Sequence, residues 1–171
     1  MNRKGISVLI ISLLIFVFLI FYKGLNKSGF YEPKSEITNI PKFIAKNFYT
    51  KEGEDSKKIF NENKYYLFNI WASWCIPCRD EHRMLDNLSK NQKLDIIGLN
   101  YKDKFKNAKK FIDEFGDPYK KILLDRDGTI AIEWGAIGVP ETFLIYQNRI
   151  VKKFTGPLNQ NSIIEIEKIL K

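Results

Sequence analysis

The chain has 171 residues, 44% of them hydrophobic, and its 28 basic and 20 acidic side chains give a formal net charge of +8. This length suits one domain with a core of its own rather than two. Of the 28 cations, 23 are lysines scattered along the chain; recognition of phosphates and base edges recruits the forked donors of arginine, so no nucleic acid partner is expected and the lysines read as a solvated surface.

Ile6 to Tyr22 runs for 17 residues without a charge, interrupted only by Ser7 and Ser12. That is close to bilayer-spanning length. Arg3 and Lys4 precede it, and Lys23-Gly24-Leu25-Asn26-Lys27 follow with no small-x-small cleavage pattern, so an uncleaved anchor over residues 1–22, with 6–22 in the bilayer, is expected rather than a signal peptide. The opening 22 residues contain those two cations and no acid, leaving +6 on the rest. The charge bias is weakly positive-inside, favouring a cytoplasmic N-terminus with the body of the protein on the other side of the membrane. Residues 23–41 (KGLNKSGFYEPKSEITNIP) mix Gly, Ser, Pro and charge without periodicity and read as a tether. The globular domain is expected over 42–171.

Within it, Tyr65 to Trp71 (YYLFNIW) suits a strand buried on both faces. Residues 76–90 place Met84, Leu85 and Leu88 at helical spacing. Leu94 to Leu99 predicts a second strand, and Phe105 to Phe115 a helix whose stripe is Phe105, Ala108, Phe111, Ile112 and Phe115, ended by Gly116 and Pro118. A short strand at Ile122 to Leu124 leads into Asp125-Arg126-Asp127-Gly128, which lacks the rest of a calcium-loop ligand series and reads as a turn before a helix at about 129–135. Thr142 to Tyr146 and Ile150 to Phe154 flank a tight connection and predict a hairpin. A last helix, about 160–170, turns Ile163, Ile166 and Leu170 inward behind capping candidates at Asn159 to Ser162. The order of elements predicts an α/β sandwich with a mixed sheet.

Both cysteines lie in WASWCIPCRD, residues 71–80. As a structural staple, a bridge across so short a loop removes only roughly 2 kcal/mol of unfolded-state entropy. Zinc would need two more ligands, and the chain has no third cysteine and a single histidine, His82. A copper site of Cys75, Cys78 and His82 is conceivable, since His82 follows at helical spacing. Haem attachment needs histidine at position 79, which is Arg79. A redox pair, needing neither metal nor cofactor, fits the local physics best: between a buried strand and a helix, Cys75 would sit at the helix start, where free N–H groups favour a thiolate, with Cys78 one turn on to resolve a mixed disulfide. Pro77 suits the first turn, and Trp74 would shape the approach to the nucleophile unless it packs a core.

WASWCIPCRDEH (71–82), GLNYKD (98–103), GDPY (116–119), GAIGVPETFLI (135–145) and GPLN (156–159) together resemble the thioredoxin-like superfamily. Within it they are most similar to the membrane-anchored thiol:disulfide interchange proteins of cytochrome c biogenesis, the CcmG or DsbE family. The cysteine motif carries only the superfamily; GVPETFLI and GLNYKD narrow it. The resemblance implies a thioredoxin-like fold, Cys75 and Cys78 as the exchanging pair, and a cis Val139–Pro140 bond facing them. It implies a substrate chain paired to the backbone near Val139, with apocytochrome c or a maturation protein as partner. It also implies a membrane thiol protein as electron donor and a location on the periplasmic side of the cytoplasmic membrane. Glu141, directly after, would oppose thiolate formation from beside the cysteines, with Glu81 and Tyr101 as further candidates. Asn69 stands where thioredoxins commonly carry a buried acid, so any proton carrier must be Glu141 or Glu81. Tyr146-Gln147-Asn148-Arg149 departs from the acid-x-x-Gly turn of many relatives, which leaves the turn geometry open.

Overall fold

Apolar runs too short for a helix and flanked by turn residues become strands, and in the computed structural model, which describes residues 3–26, 38–60 and 63–171, they assemble one sheet. In chain order the elements are α1 (Arg3–Asn26), β1 (Thr38–Asn39), β2 (Ile44–Asn47), β3 (Gly53–Asp55), α2 (Ser56–Ile59), β4 (Tyr65–Trp71), α3 (Ile76–Ser89), β5 (Leu94–Tyr101), α4 (Phe105–Phe115), β6 (Lys121–Asp125), α5 (Thr129–Glu133), β7 (Glu141–Tyr146), β8 (Arg149–Thr155) and α6 (Gln160–Ile169). The chain divides into two units, Met1–Lys34 and Ser35–Lys171.

The first unit contains α1, whose residues from Leu9 to Tyr22 are exposed on every side. A helix apolar all round belongs in a core or a bilayer, and Gly5–Lys23, with a mean hydropathy of 2.8 and no part buried, is long and apolar enough to cross a membrane.

In the second unit the sheet order is β1-β8-β7-β4-β5-β6-β2-β3 among the described residues. β4, β5 and β6 run parallel, joined by the helical crossovers α3 and α4, while β7 pairs antiparallel with β4 and β8 with β7. This is the expected mixed sheet, in a thioredoxin-like arrangement. Alternation along β4 divides the core: Leu67 and Trp71 point to a cluster that holds both cysteines with Leu85, Phe111 and Ile166. Tyr66, Phe68 and Ile70 point to the opposite cluster with Phe60, Trp134 and Phe143. β7 divides likewise, Leu144 to the cysteine face and Phe143 and Ile145 to the other.

The predicted long elements recur with ends within about two residues, the usual uncertainty of an element boundary. Four short elements went unforeseen. β2 alternates buried Ala45 and Asn47 with exposed Ile44 and Lys46, a pattern too short and too polar to stand out from loop. It pairs antiparallel with β6, and β3 and α2 follow from it. β1 falls inside the expected tether, where Thr38 and Asn39 pair with Ile150 and Arg149; α1 in turn runs through Asn26, and residues 27–37 of the tether lie outside the described residues. The hairpin turn is also resolved: Gln147 and Asn148 both take positive φ, 49° and 61°, the backbone of a two-residue turn whose twist matches the strands. Gln147 and Tyr146 both donate to Asn63 Oδ1.

Gly98, mid-strand in β5, shows why the sequence lacks a side chain there. A Cβ would sit 2.8 Å from the Trp71 indole nitrogen and 2.9 Å from the Tyr119 ring, two rings stacked at 5.6 Å against each other. Gly98→Ala is therefore expected to destabilise the domain by about 1–3 kcal/mol in urea denaturation. Gly53→Ala, where the nearest atom is an ordinary 3.6 Å away, is expected to stay within about 0.5 kcal/mol.

Candidate active site

The turn that follows β4 carries the cysteines, and it is braced from β5. The Asp103 carboxylate accepts from the Ser73 backbone N–H (2.6 Å), the Ser73 hydroxyl (2.9 Å) and the Asn100 amide (3.1 Å). Trp74 donates its indole N–H to the Lys102 carbonyl at 3.2 Å, and Arg79 reaches back to the Ser73 carbonyl. Trp74 remains 55% exposed, so it lies at the surface beside the site and not in the core. Tyr101 meets Trp74 only ring to ring at 6.4 Å. Within the NYKD stretch it is thus Asp103, a loop acid with no sequence signal of its partner, that braces the turn.

Cys75 is the N-cap of α3, with Ile76 and Pro77 in the first turn, and its Sγ accepts the Cys78 backbone N–H at 3.2 Å. The two cysteines form a disulfide with Cα atoms 5.3 Å apart. Their exposures, 3% and 2%, do not distinguish them. The cap does: in the dithiol state the N–H aimed at Cys75 favours its thiolate.

One turn further along α3 lies Glu81, on the same face as Cys78 and equally buried. Its Oε2 accepts the Leu158 N–H at 2.7 Å and its Oε1 the Asn69 amide at 2.9 Å. Asn69 gives its other N–H to Thr142 Oγ1 and accepts from the Tyr119 hydroxyl, both at 2.9 Å. Burial pushes Glu81 up to about 7, against the pull of the Leu158 and Asn69 hydrogen bonds. Tyr119 is pushed well above its ordinary value by burial and then by Glu81. A carboxyl group that titrates near neutrality next to the second cysteine can move a proton.

Val139–Pro140 is a cis peptide bond, and Val139 packs against the cluster that contains both cysteines. Glu141, which its place after Pro140 sets beside the cysteines on sequence grounds, is instead turned by strand alternation to the other face of the sheet, with Ile70 and Phe143. There its Oε1 accepts the Ile137 N–H at 2.9 Å and its Oε2 lies 2.9 Å from Lys153 Nζ, itself 5.4 Å from the centre of the Phe143 ring.

The histidine required for copper is engaged elsewhere. His82 Nε2 is 2.8 Å from the Gly116 carbonyl, so that nitrogen carries the proton. The ring packs edge-on against Phe111, Phe115 and Tyr119, and burial holds its pKa below the usual value. Among the described residues no group of three or more His, Cys, Asp or Glu could hold a metal ion.

The redoxin family model matches residues 38–170, from β1 through α6. The chain belongs to the redoxin family. Among individual redoxins, it is 44% identical over 105 residues to the thiol:disulfide interchange protein CycY of Rhizobium leguminosarum bv. viciae, an alignment covering 61% of this chain and 56% of that protein. With the thiol:disulfide interchange protein DsbE of Vibrio cholerae it shares 33% identity over 171 residues, 95% of this chain and 90% of the relative, which places it among the DsbE-type redoxins. The solved structure of a DsbF homologue from Corynebacterium diphtheriae superposes with a TM-score of 0.67 at 20% identity, over 80% of this chain and 88% of that one, a likeness of fold.

The Glu81 environment gives this redoxin a pH signature. Its folded pKa of about 7 lies above the ordinary 4.5, so between those values the native state keeps a proton that the unfolded chain has released. Stability is then full below about pH 4.5 and falls as pH rises through 7, by roughly 3 kcal/mol in all. Glu81→Gln is expected to flatten that slope when urea unfolding is followed from pH 4.5 to 8; an unchanged slope would assign it to other groups.

Proposed function

We propose that this protein is a membrane-anchored thiol:disulfide oxidoreductase acting outside the cytoplasm in cytochrome c maturation. The observation that carries the chemistry is Cys75 Sγ at the helix cap, accepting the Cys78 N–H, with its partner sulfur in bonding range. In the dithiol state the Cys75 thiolate attacks a substrate disulfide. A bond forms between Cys75 and one substrate sulfur, the substrate disulfide breaks, and the released thiolate takes up a proton. Cys78 then gives its proton to Glu81 and attacks Cys75 Sγ, which expels the second substrate sulfur as a thiolate and leaves the Cys75–Cys78 disulfide; the proton held by Glu81 is released to that thiolate or to water. Two electrons pass to the substrate in each cycle. A membrane thiol protein must return them, because the compartment is oxidising.

Apocytochrome c, or a protein that handles it, is the substrate we favour, on the strength of the sequence resemblance. Its chain would pair with the loop backbone at Val139, ahead of β7, in an extended conformation. The exposed Trp74 and Ile76 would flank its cysteine. The anchor is α1, the tether follows it, and the weak positive-inside bias supports a periplasmic domain. A copper-carrying role is disfavoured by the engagement of His82 with Gly116.

Cys75→Ser is expected to abolish disulfide reduction in an assay with glutathione-reduced enzyme. Cys78→Ser, expressed in cells, is expected to retain a mixed disulfide through Cys75, and mass spectrometry of the captured protein names the substrate; recovery of no thiol-bearing partner would count against the proposal. Protease added to spheroplasts is expected to digest the domain, and protection would reverse the assigned side.

A further inference from the structure

We propose that Glu141 and Lys153 form a buried ionic clamp that positions the substrate-binding loop, so that both act on docking and not on the reactivity of the sulfurs. The inference rests on the exchange activity proposed above and specifies how that site holds its substrate. Residues 134–140 connect α5 to β7 and end in Val139–Pro140, and their most exposed side chain is Ile137, at 83%. Ala136 and Val139 pack against the core, whereas the Ile137 side chain stands out in solvent. What holds the backbone at Ile137 is polar and lies underneath.

The Glu141 carboxylate, 1% exposed, takes the Ile137 N–H on Oε1. Lys153, from the neighbouring strand β8 and only 20% exposed, sets its ammonium 2.9 Å from Oε2 and donates to the Gly135 carbonyl at 2.8 Å. The Oε2 contact is ionic rather than a well-directed hydrogen bond, since that oxygen otherwise finds no donor. A single ion pair therefore grips the loop at two points two residues apart. At the first, Gly135 takes φ +66° with open space around its α-carbon, and apart from Lys153 the turn is closed only by backbone bonds to Ile132 and Ala131. β7 and β8 keep the pair in register, because Phe143 lies opposite Lys153 and Glu141 opposite Thr155.

Both charges sit on the face of the sheet opposite the cysteines, with Phe143 and Trp134. Opposite charges in contact also cancel at a distance. The pair is thus poorly placed to tune Cys75 and well placed to hold Ile137 and Val139 where a substrate chain lies. Lys153 and Glu141 are positioning residues in this scheme, and a buried partner left alone is costly, so the two are interdependent.

The test uses the full chain in detergent micelles with Lys153→Met, Lys153→Arg and Glu141→Gln. Amide hydrogen exchange at Ile137 reads the clamp directly, and steady-state reduction of a short synthetic peptide carrying an intrachain disulfide reads docking. In Lys153→Met we expect exchange at Ile137 to accelerate about tenfold or more. We expect KM to rise about tenfold with kcat, and the equilibrium constant against glutathione, within about twofold of the parent. Lys153→Arg is expected to restore most of both. Should Lys153→Met fail to fold, Glu141→Gln, which keeps an acceptor for Ile137 and breaks only the ion pair, is read on the same scales. Unchanged exchange in a folded variant overturns the clamp. Faster exchange with unchanged KM overturns its role in docking, as does a glutathione equilibrium that moves while KM does not. A parent chain inactive towards the peptide refutes the oxidoreductase reading and the docking role with it, while the exchange measurement still decides the clamp.

Discussion

The amide of Asn69 is the constraint on which the active site is built. From the middle of β4 it donates to Glu81 on α3 and to Thr142 on β7, and it accepts from Tyr119 ahead of β6. Four segments far apart in sequence are thereby fixed around one planar group, each donor and acceptor being spent in a fully buried setting where an unmet one costs about 1–3 kcal/mol. A carboxylate at that position could accept but not donate, and it would confront Glu81 with like charge. Asparagine leaves Glu81 without a second acid against it and donates to that acid directly.

The sheet then separates two tasks by the parity of its side chains. Residues that point to one side of β4 and β7 build the chemistry: Trp71, Asn69, Thr142 and the helix bearing the cysteines. Those that point to the other build an aromatic floor of Phe68, Phe143 and Trp134, whose closest rings lie 4.3 Å apart. The polar pair Glu141 and Lys153 is set into that floor. Reactivity and geometry are thus handled by residues adjacent in sequence yet kept apart by the pleat.

Much of this was legible beforehand, for identifiable reasons. Tyr65–Trp71 and Phe105–Phe115 are dense apolar patterns of one period, and the helices and central strands fell where periodicity put them. The place of Cys75 between a buried strand and a helical stripe, with Pro77 suited to a first turn, marked the helix start. The outer strands were not legible because β2 interleaves Lys and Asn with its few apolar positions, and β1 is two residues long; their pairing is decided by partners elsewhere. Asp103 was hidden as well: an acid in a loop carries no sign of which backbone it will brace. Glu141 misled because proximity in sequence to Pro140 was read as proximity to the sulfurs, whereas a single step along a strand reverses the side chain's direction. The alternation of Thr142, Phe143 and Leu144 already contained that reversal.

The hydrogen bond from Leu158 to Glu81 also bears on the order in which the protein is made. A chain synthesised from its N-terminus presents Cys75 and Cys78 well before the residues that complete their surroundings. Thr142 stands 73 residues beyond Asn69, and Leu158 stands 77 beyond Glu81. Until those arrive, Glu81 is a solvated carboxylate of ordinary acidity and the Val139–Pro140 loop has no strand to continue into. The nascent thiols therefore pass through a period as plain cysteines, and they become a tuned pair only when the last segment of the domain closes over the acid beneath them.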